Sequence, residues 1–101
     1  MHRHYEYQFE WDPVKARRNA TKHRVTFERA ATVFRDPLAL SQFDVDHSEN
    51  DERWVTLGFD STGTLLVVCH TFRELDPRCA SVRIFSARKA TKSEARQYRR
   101  F

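Results

Sequence analysis

A chain of 101 residues with 40% hydrophobic and 32% charged content has the size and make-up of one folded domain spanning 1–101, not of a disordered segment. No apolar run approaches the roughly 20 residues that cross a bilayer, and the polar start Met1-His2-Arg3-His4-Tyr5 is no secretory signal. The expected address is cytoplasmic with no membrane partner, and the net charge of +4 points to an anionic partner.

That charge is unevenly spread. Asp12 to Arg29 holds six basic residues against two acids, whereas Asp36 to Asp60 holds seven acids against one Arg. Arg83 to Phe101 then carries seven Lys or Arg against Glu94 alone, a net of +6. Such polarity can orient an anionic ligand as well as attract it.

Tyr7 to Trp11 reads as a short edge strand. Asp12-Pro13 opens a helix over about Pro13 to His23, since Asp is a preferred N-cap and Pro at the first helical position loses no hydrogen bond. Thr26 caps a second helix whose Phe27, Ala30, Ala31 and Phe34 make a buried stripe; Arg29 stands where a capping box wants Glu, and Asp36-Pro37 ends the helix. Leu38 to Phe43 is a strand and Asp44 to Glu52 an acidic loop. Arg53 to Phe59 alternates as a strand, Asp60 to Gly63 is a turn, and Thr64 to Phe72 is apolar enough for a central strand. Arg73 to Cys79 reads as a loop, Ser81 to Phe85 as the last strand, and Ser86 to Ala90 as a basic corner. Thr91-Lys92-Ser93-Glu94 is a capping box that starts the last helix. The order β-α-α-β-β-β-β-α predicts an α+β sandwich with a mainly antiparallel sheet, two helices early and one late.

A three-residue hairpin loop at Asp60–Gly63 fixes a register in which Leu57 faces Val67, Val55 faces Cys69 and Trp54 faces His70. Val55, Leu57, Val67 and Cys69 are then expected on the core face. Trp54, His70 and Arg83 are expected together on an open face, as an alternative to Trp54 and His70 packing under a terminal segment.

Much chemistry is excluded. With only Gly58 and Gly63, and no G-x-S-x-G, the chain has neither a phosphate-cradling loop nor a nucleophile elbow. Asp44, Asp46, Ser48 and Asn50 start like a calcium loop, but Glu49 and Val55 stand where Gly and the bidentate Glu belong. A magnesium site on Asp44, Asp46 and Glu49 is the weaker alternative to a solvated acidic loop. Cys69 and Cys79 form no zinc pattern. No metal or cofactor is expected.

What remains is imidazole and cationic. RNA can be cut without a metal when its 2′-hydroxyl is deprotonated and attacks the neighbouring phosphorus, given a base, a cation on the phosphate and an acid for the leaving oxygen. His23 and His70 are the proton-transfer candidates, with Glu52 the weaker one. Arg88, Arg83 and Arg53 can hold a phosphate through forked donors. Lys22, Lys89, Lys92 and Trp54 complete an RNA-binding set. Against this stand bland roles, a helix-terminal His23 and solvated arginines, and the residues alone reach only a nucleic-acid binder. A non-catalytic repressor subunit or a module for an acidic protein also fits.

Phe9-Glu10-Trp11-Asp12-Pro13, Lys15, Asn19, Lys22-His23, Val25-Thr26-Phe27-Glu28, Ala30 to Phe34, Asp36-Pro37-Leu38, Asp46-His47-Ser48, Glu52-Arg53 and Ile84 to Ala90 together resemble the BrnT family. The resemblance implies a RelE-like fold and a metal-independent endoribonuclease toxin of a type II toxin–antitoxin pair that inhibits translation. It also implies a BrnA-like ribbon-helix-helix antitoxin and a toxin–antitoxin complex that binds operator DNA. Two stretches depart from the pattern: Arg24 stands where the family usually has Gly, and Arg73 to Cys79 is longer than the usual connection.

Overall fold

Local chemistry sets the helix ends. The computed structural model describes residues 5–47 and 52–98. β1 (Glu6–Glu10) leads into α1 (Pro13–His23), where the Asp12 carboxylate accepts from the Val14 N–H at 3.1 Å. α1 stops at Arg24, whose φ of 59° is left-handed and whose N–H bonds the Ala20 carbonyl. An Arg held there strains against its own Cβ. Arg24→Gly is therefore expected to raise stability by about 1 kcal/mol, read as a higher denaturation midpoint; an unchanged or lower midpoint would contradict this.

α2 (Phe27–Thr32) begins at Thr26, whose hydroxyl accepts from the Arg29 N–H at 3.1 Å, and it continues into a 3-10 turn, Val33–Arg35. Arg29 cannot close the reciprocal half of a capping box. Its guanidinium instead reaches the buried Asp60, Nη2 to Oδ2 at 2.8 Å. Burial alone would raise the Asp60 carboxyl, but hydrogen bonds from Thr62, Thr64 and Arg29 hold it below its ordinary value. The charge pair ties α2 to the hairpin turn.

β2 (Leu40–Phe43), β3 (Arg53–Phe59), β4 (Leu65–Thr71), β5 (Arg73–Asp76) and β6 (Cys79–Lys89) precede α3 (Lys92–Tyr98). The sheet runs β1-β6-β4-β3-β2, with β1 parallel to β6, the other pairs antiparallel, and β5 folded back on β6. The hairpin register is the expected one: Leu57 pairs Val67, Val55 pairs Cys69 and Trp54 pairs His70. Gly63 takes the left-handed position at φ 81°. β6 is the spine: Cys79–Arg83 lies beside β1, and from Ile84 to Lys89 it lies beside β4 after a bulge at Cys69/His70.

Three expectations are corrected. Arg73 to Cys79 is not a loop. Asp76 accepts from the Arg78 N–H at 2.7 Å in a tight turn, which folds Arg73–Asp76 back as a strand. The segment Ser86 to Lys89 is not a corner either, because β6 continues through it. Lastly, the two sheet faces are exchanged. Val25, Phe27, Ala30 and Val33 from the helical side pack on Leu66, Val68, Val82, Ile84 and Ala87. Each buried Val, Leu, Ile or Phe side chain among these contributes about 1.5–3 kcal/mol.

Gly58 shows why the helical side sits so close: a Cβ there would lie 2.8 Å from Val33 Cγ1 and 3.0 Å from Ala39 Cβ. Trp54, Thr56, Gly58 and His70 therefore belong to the helix-covered face. Val55, Leu57, Val67 and Cys69 line the other, where Arg88 pairs across the ladder with Val67. Leu57 and Val67 are nonetheless 7% and 4% exposed, so both faces are apolar in the middle of the sheet. Of the acidic loop, Ser48 to Asp51, including Glu49 of the magnesium alternative, lie outside the described residues, as do 1–4 and 99–101.

Candidate functional site

Arg88 is placed by strand alternation. Ala87 points into the core and Arg88 emerges on the opposite face. Its guanidinium meets Glu94 of α3 in a two-pronged pair, Nη1 to Oε1 at 2.8 Å and Nη2 to Oε2 at 2.9 Å. This fork-to-carboxylate geometry is also the one by which Arg grips a phosphate. The pair raises the Arg88 guanidinium above its ordinary value, and the bond to Arg88 chiefly pulls Glu94 down to about 2. Glu94 also accepts from the Thr91 N–H at 2.8 Å, so the capping box and the ion pair share one carboxylate.

Arg53 lies on the same sheet face, at the far end of β3, with its guanidinium 4.7 Å above the Phe85 ring. Between the arginines lies half-buried Cys69. Burial pushes its thiol up, Arg88 and Arg53 pull it back, and Asp44 and Glu94 push again. Both cysteines are free thiols. The face thus has an apolar floor with a cationic fork toward each end.

Asn19 was missed as a site residue. Its buried side chain donates to the Ala87 carbonyl at 2.8 Å and the Val25 carbonyl at 3.0 Å, and it accepts from the Ala87 N–H at 3.1 Å. One amide thus stands in for a neighbouring strand beside β6, immediately before Arg88. The signal was available: a polar side chain among the small residues of α1 needs a buried partner. His23 sits one turn further along α1 on the Asn19 stripe, partly exposed at the helix end.

The remaining candidates separate. His70 is 0% exposed, its ring at a 4.8 Å centroid distance from Phe34. Nδ1 donates to the Thr71 carbonyl at 2.8 Å, leaving Nε2 to accept from the Thr56 hydroxyl at 2.7 Å, and Thr56 in turn meets Ser41 at 2.8 Å. Burial drives the imidazole down to about 4 despite the Thr71 bond. The open-face placement of His70 is thus corrected, because a neutral ring in the core cannot reach RNA. Trp54 is half-buried between Phe43 and Phe72 on that same helix-covered face, away from Arg88. Arg83 does not join them: it is exposed, pairs with Glu10 at 3.7 Å, and shares a cleft with Glu52, Thr71 and Arg73. Lys22, Lys89 and Lys92 are exposed, at the end of α1, the end of β6 and the start of α3. Among the described residues, no three His, Cys, Asp or Glu side chains gather as metal ligands would. No helix among them is long and apolar enough to cross a membrane.

The family model "Ribonuclease toxin, BrnT, of type II toxin-antitoxin system" matches residues 11–94. The chain belongs to the BrnT family. As a BrnT-family protein it is a ribonuclease toxin of a type II toxin–antitoxin system, with RNA as substrate and an antitoxin as partner. The match begins at Trp11 beside the α1 cap and ends at Glu94, so it takes in Asn19, Arg53, Arg88 and the Arg88 partner. Among solved structures, the 1.1 Å crystal structure of the Brucella abortus ribonuclease toxin BrnT superposes with a TM-score of 0.58. The likeness covers 86% of this chain and 100% of that one at 18% identity, and at that identity it speaks for the fold. No curated protein matches the sequence.

Proposed function

We propose that this BrnT-family toxin cleaves RNA without a metal, by attack of the 2′-hydroxyl on the adjacent phosphorus. The new 2′-O–P bond forms as the P–O5′ bond breaks, leaving a 2′,3′-cyclic phosphate and a 5′-hydroxyl. The observation that carries this reading is the two-pronged Arg88 fork, set on a sheet face that also holds Arg53. A scissile phosphate gripped by Arg88 and Arg53 has the charge of its transition state neutralised by donors already in place. Of the proton-transfer candidates, His23 and Glu52 reach solvent; between them they take the 2′-hydroxyl proton and give a proton to the leaving 5′-oxygen. Lys22, Lys89 and Lys92 attract the flanking phosphates in a salt-dependent way.

Cleavage in the cytoplasm would stop translation. The proposed partner is a BrnA-like ribbon-helix-helix antitoxin, and the pair would bind operator DNA and repress its own genes. Expression of the chain is expected to arrest growth, and co-expression of the neighbouring antitoxin gene to relieve the arrest. The combined Arg88→Ala, His23→Ala and Arg53→Ala variant is expected to be harmless. Undiminished arrest by that variant would remove the proposed site.

A further inference from the structure

The Arg88 fork is occupied within the chain itself. Both guanidinium prongs are taken by the Glu94 carboxylate, which has the planar two-oxygen face that a phosphate would present. The helix bearing Glu94 is lightly held. Lys92–Tyr98 has no fully buried residue, and besides Glu94 it is anchored at Tyr98, where the hydroxyl donates to Asp36 at 2.7 Å and the ring meets Phe59 edge-on at 5.0 Å. A seven-residue helix with no fully buried side chain has little to keep it in place once its polar anchors exchange partners. We infer that Glu94 is an internal competitor for the substrate phosphate: RNA must take the Arg88 fork from Glu94, and α3 lifts when it does.

The inference rests on the reading of Arg88 as a phosphate binder and adds the residue that sets its availability. It explains why the single acid of the basic C-terminal segment falls on one of the two guanidiniums proposed to grip the phosphate. The carboxylate keeps the fork aimed and masked until a stronger anion arrives. Glu94 is thus a positioning residue, acting through Arg88.

The test compares Glu94→Gln, which keeps a capping-box side chain but removes the charge, with Tyr98→Phe, which loosens the far end of α3 without touching Arg88. Two probes are used: inorganic phosphate, followed through the Arg88 Nε–H resonance, and a short RNA whose 2′-hydroxyls are methylated so that it binds uncut. Glu94→Gln is expected to bind both probes about tenfold more tightly, the scale of one charge-assisted contact. On cleavable RNA it is expected to lower KM with kcat kept, and Tyr98→Phe to move the same way by less. Equal or weaker binding by both variants, or a fall in kcat at unchanged KM, would overturn the inference, since Glu94 would then be aiming Arg88 without competing. Should no protein cut RNA while Glu94→Gln still binds phosphate more tightly, the cleavage reading fails and the competition stands.

Discussion

Arg88→Ala lowers RNA cleavage by about 10²–10³-fold and abolishes growth arrest, the expected result of removing a preorganised donor from developing phosphate charge. Arg88→Lys keeps the charge but loses the fork, so its activity falls between the two. The loss is not one of folding. Arg88 is 39% exposed and the Glu94 side chain 27%, so breaking their pair shifts stability by no more than about 1 kcal/mol. Initial rates on a defined RNA, taken with a thermal melt, check this. An Arg88→Ala protein that cuts at the normal rate would take Arg88 out of the site.

The second large effect concerns His70. Its folded value near 4 lies below the ordinary 6.5, so the unfolded chain takes up the proton first as pH falls. The stability contributed by the neutral ring is complete above pH 6.5, drains away between 6.5 and 4, and changes no further below. The shift corresponds to about 3 kcal/mol, and His70 is fully enclosed, so little of this is screened. Glu94 acts in the same direction at lower pH: its value of about 2 lies below the usual 4.5, so its contribution is complete above 4.5 and fades as pH falls toward 2. The two windows overlap only between about pH 4 and 4.5. Denaturant midpoints at pH 7 and pH 4.5 should differ strongly for the native chain and much less for His70→Gln. Equal pH slopes in both would show that His70 is not the group responsible.

The sequence was most informative where one residue type answers one local demand. Asp12-Pro13, Thr26, the Thr91–Glu94 box and the Asp60–Gly63 turn appear where their hydrogen-bonding chemistry requires, and the hairpin register followed from the turn length alone. The faces were not legible from alternation, because Thr64 to Phe72 is apolar on both sides and period two then has no preferred phase. Val55 and Leu57 read as the core side, and of the two Leu57 is indeed well covered. The deciding signal was Gly58, where any side chain would strike Val33. A glycine inside a strand marks a close approach, and here it marks the helix side.

Local signals misled at two places. Arg73 to Cys79 reads as a loop because it contains the turn signal Asp76-Pro77, yet that turn folds a charged edge strand back on β6, and an edge strand needs only backbone pairing. Ser86 to Lys89 reads as a corner because its side chains are short or basic, yet the segment pairs with β4 on one side and Asn19 supplies hydrogen bonds to Ala87 on the other. That clamp joins residues 68 apart in sequence, which no local pattern displays. The Arg88–Glu94 pair is the converse case. Both residues were in view, Arg88 as a site residue and Glu94 as a cap, and only the turn from β6 into α3 joins the two roles.

The central claim is metal-independent cleavage by 2′-hydroxyl attack. Its most direct test is to incubate the purified protein with a defined RNA in excess chelator and identify the new termini. A 2′,3′-cyclic phosphate facing a 5′-hydroxyl is the predicted result. Cleavage that stops in chelator, or that leaves a 3′-hydroxyl facing a 5′-phosphate, would contradict it.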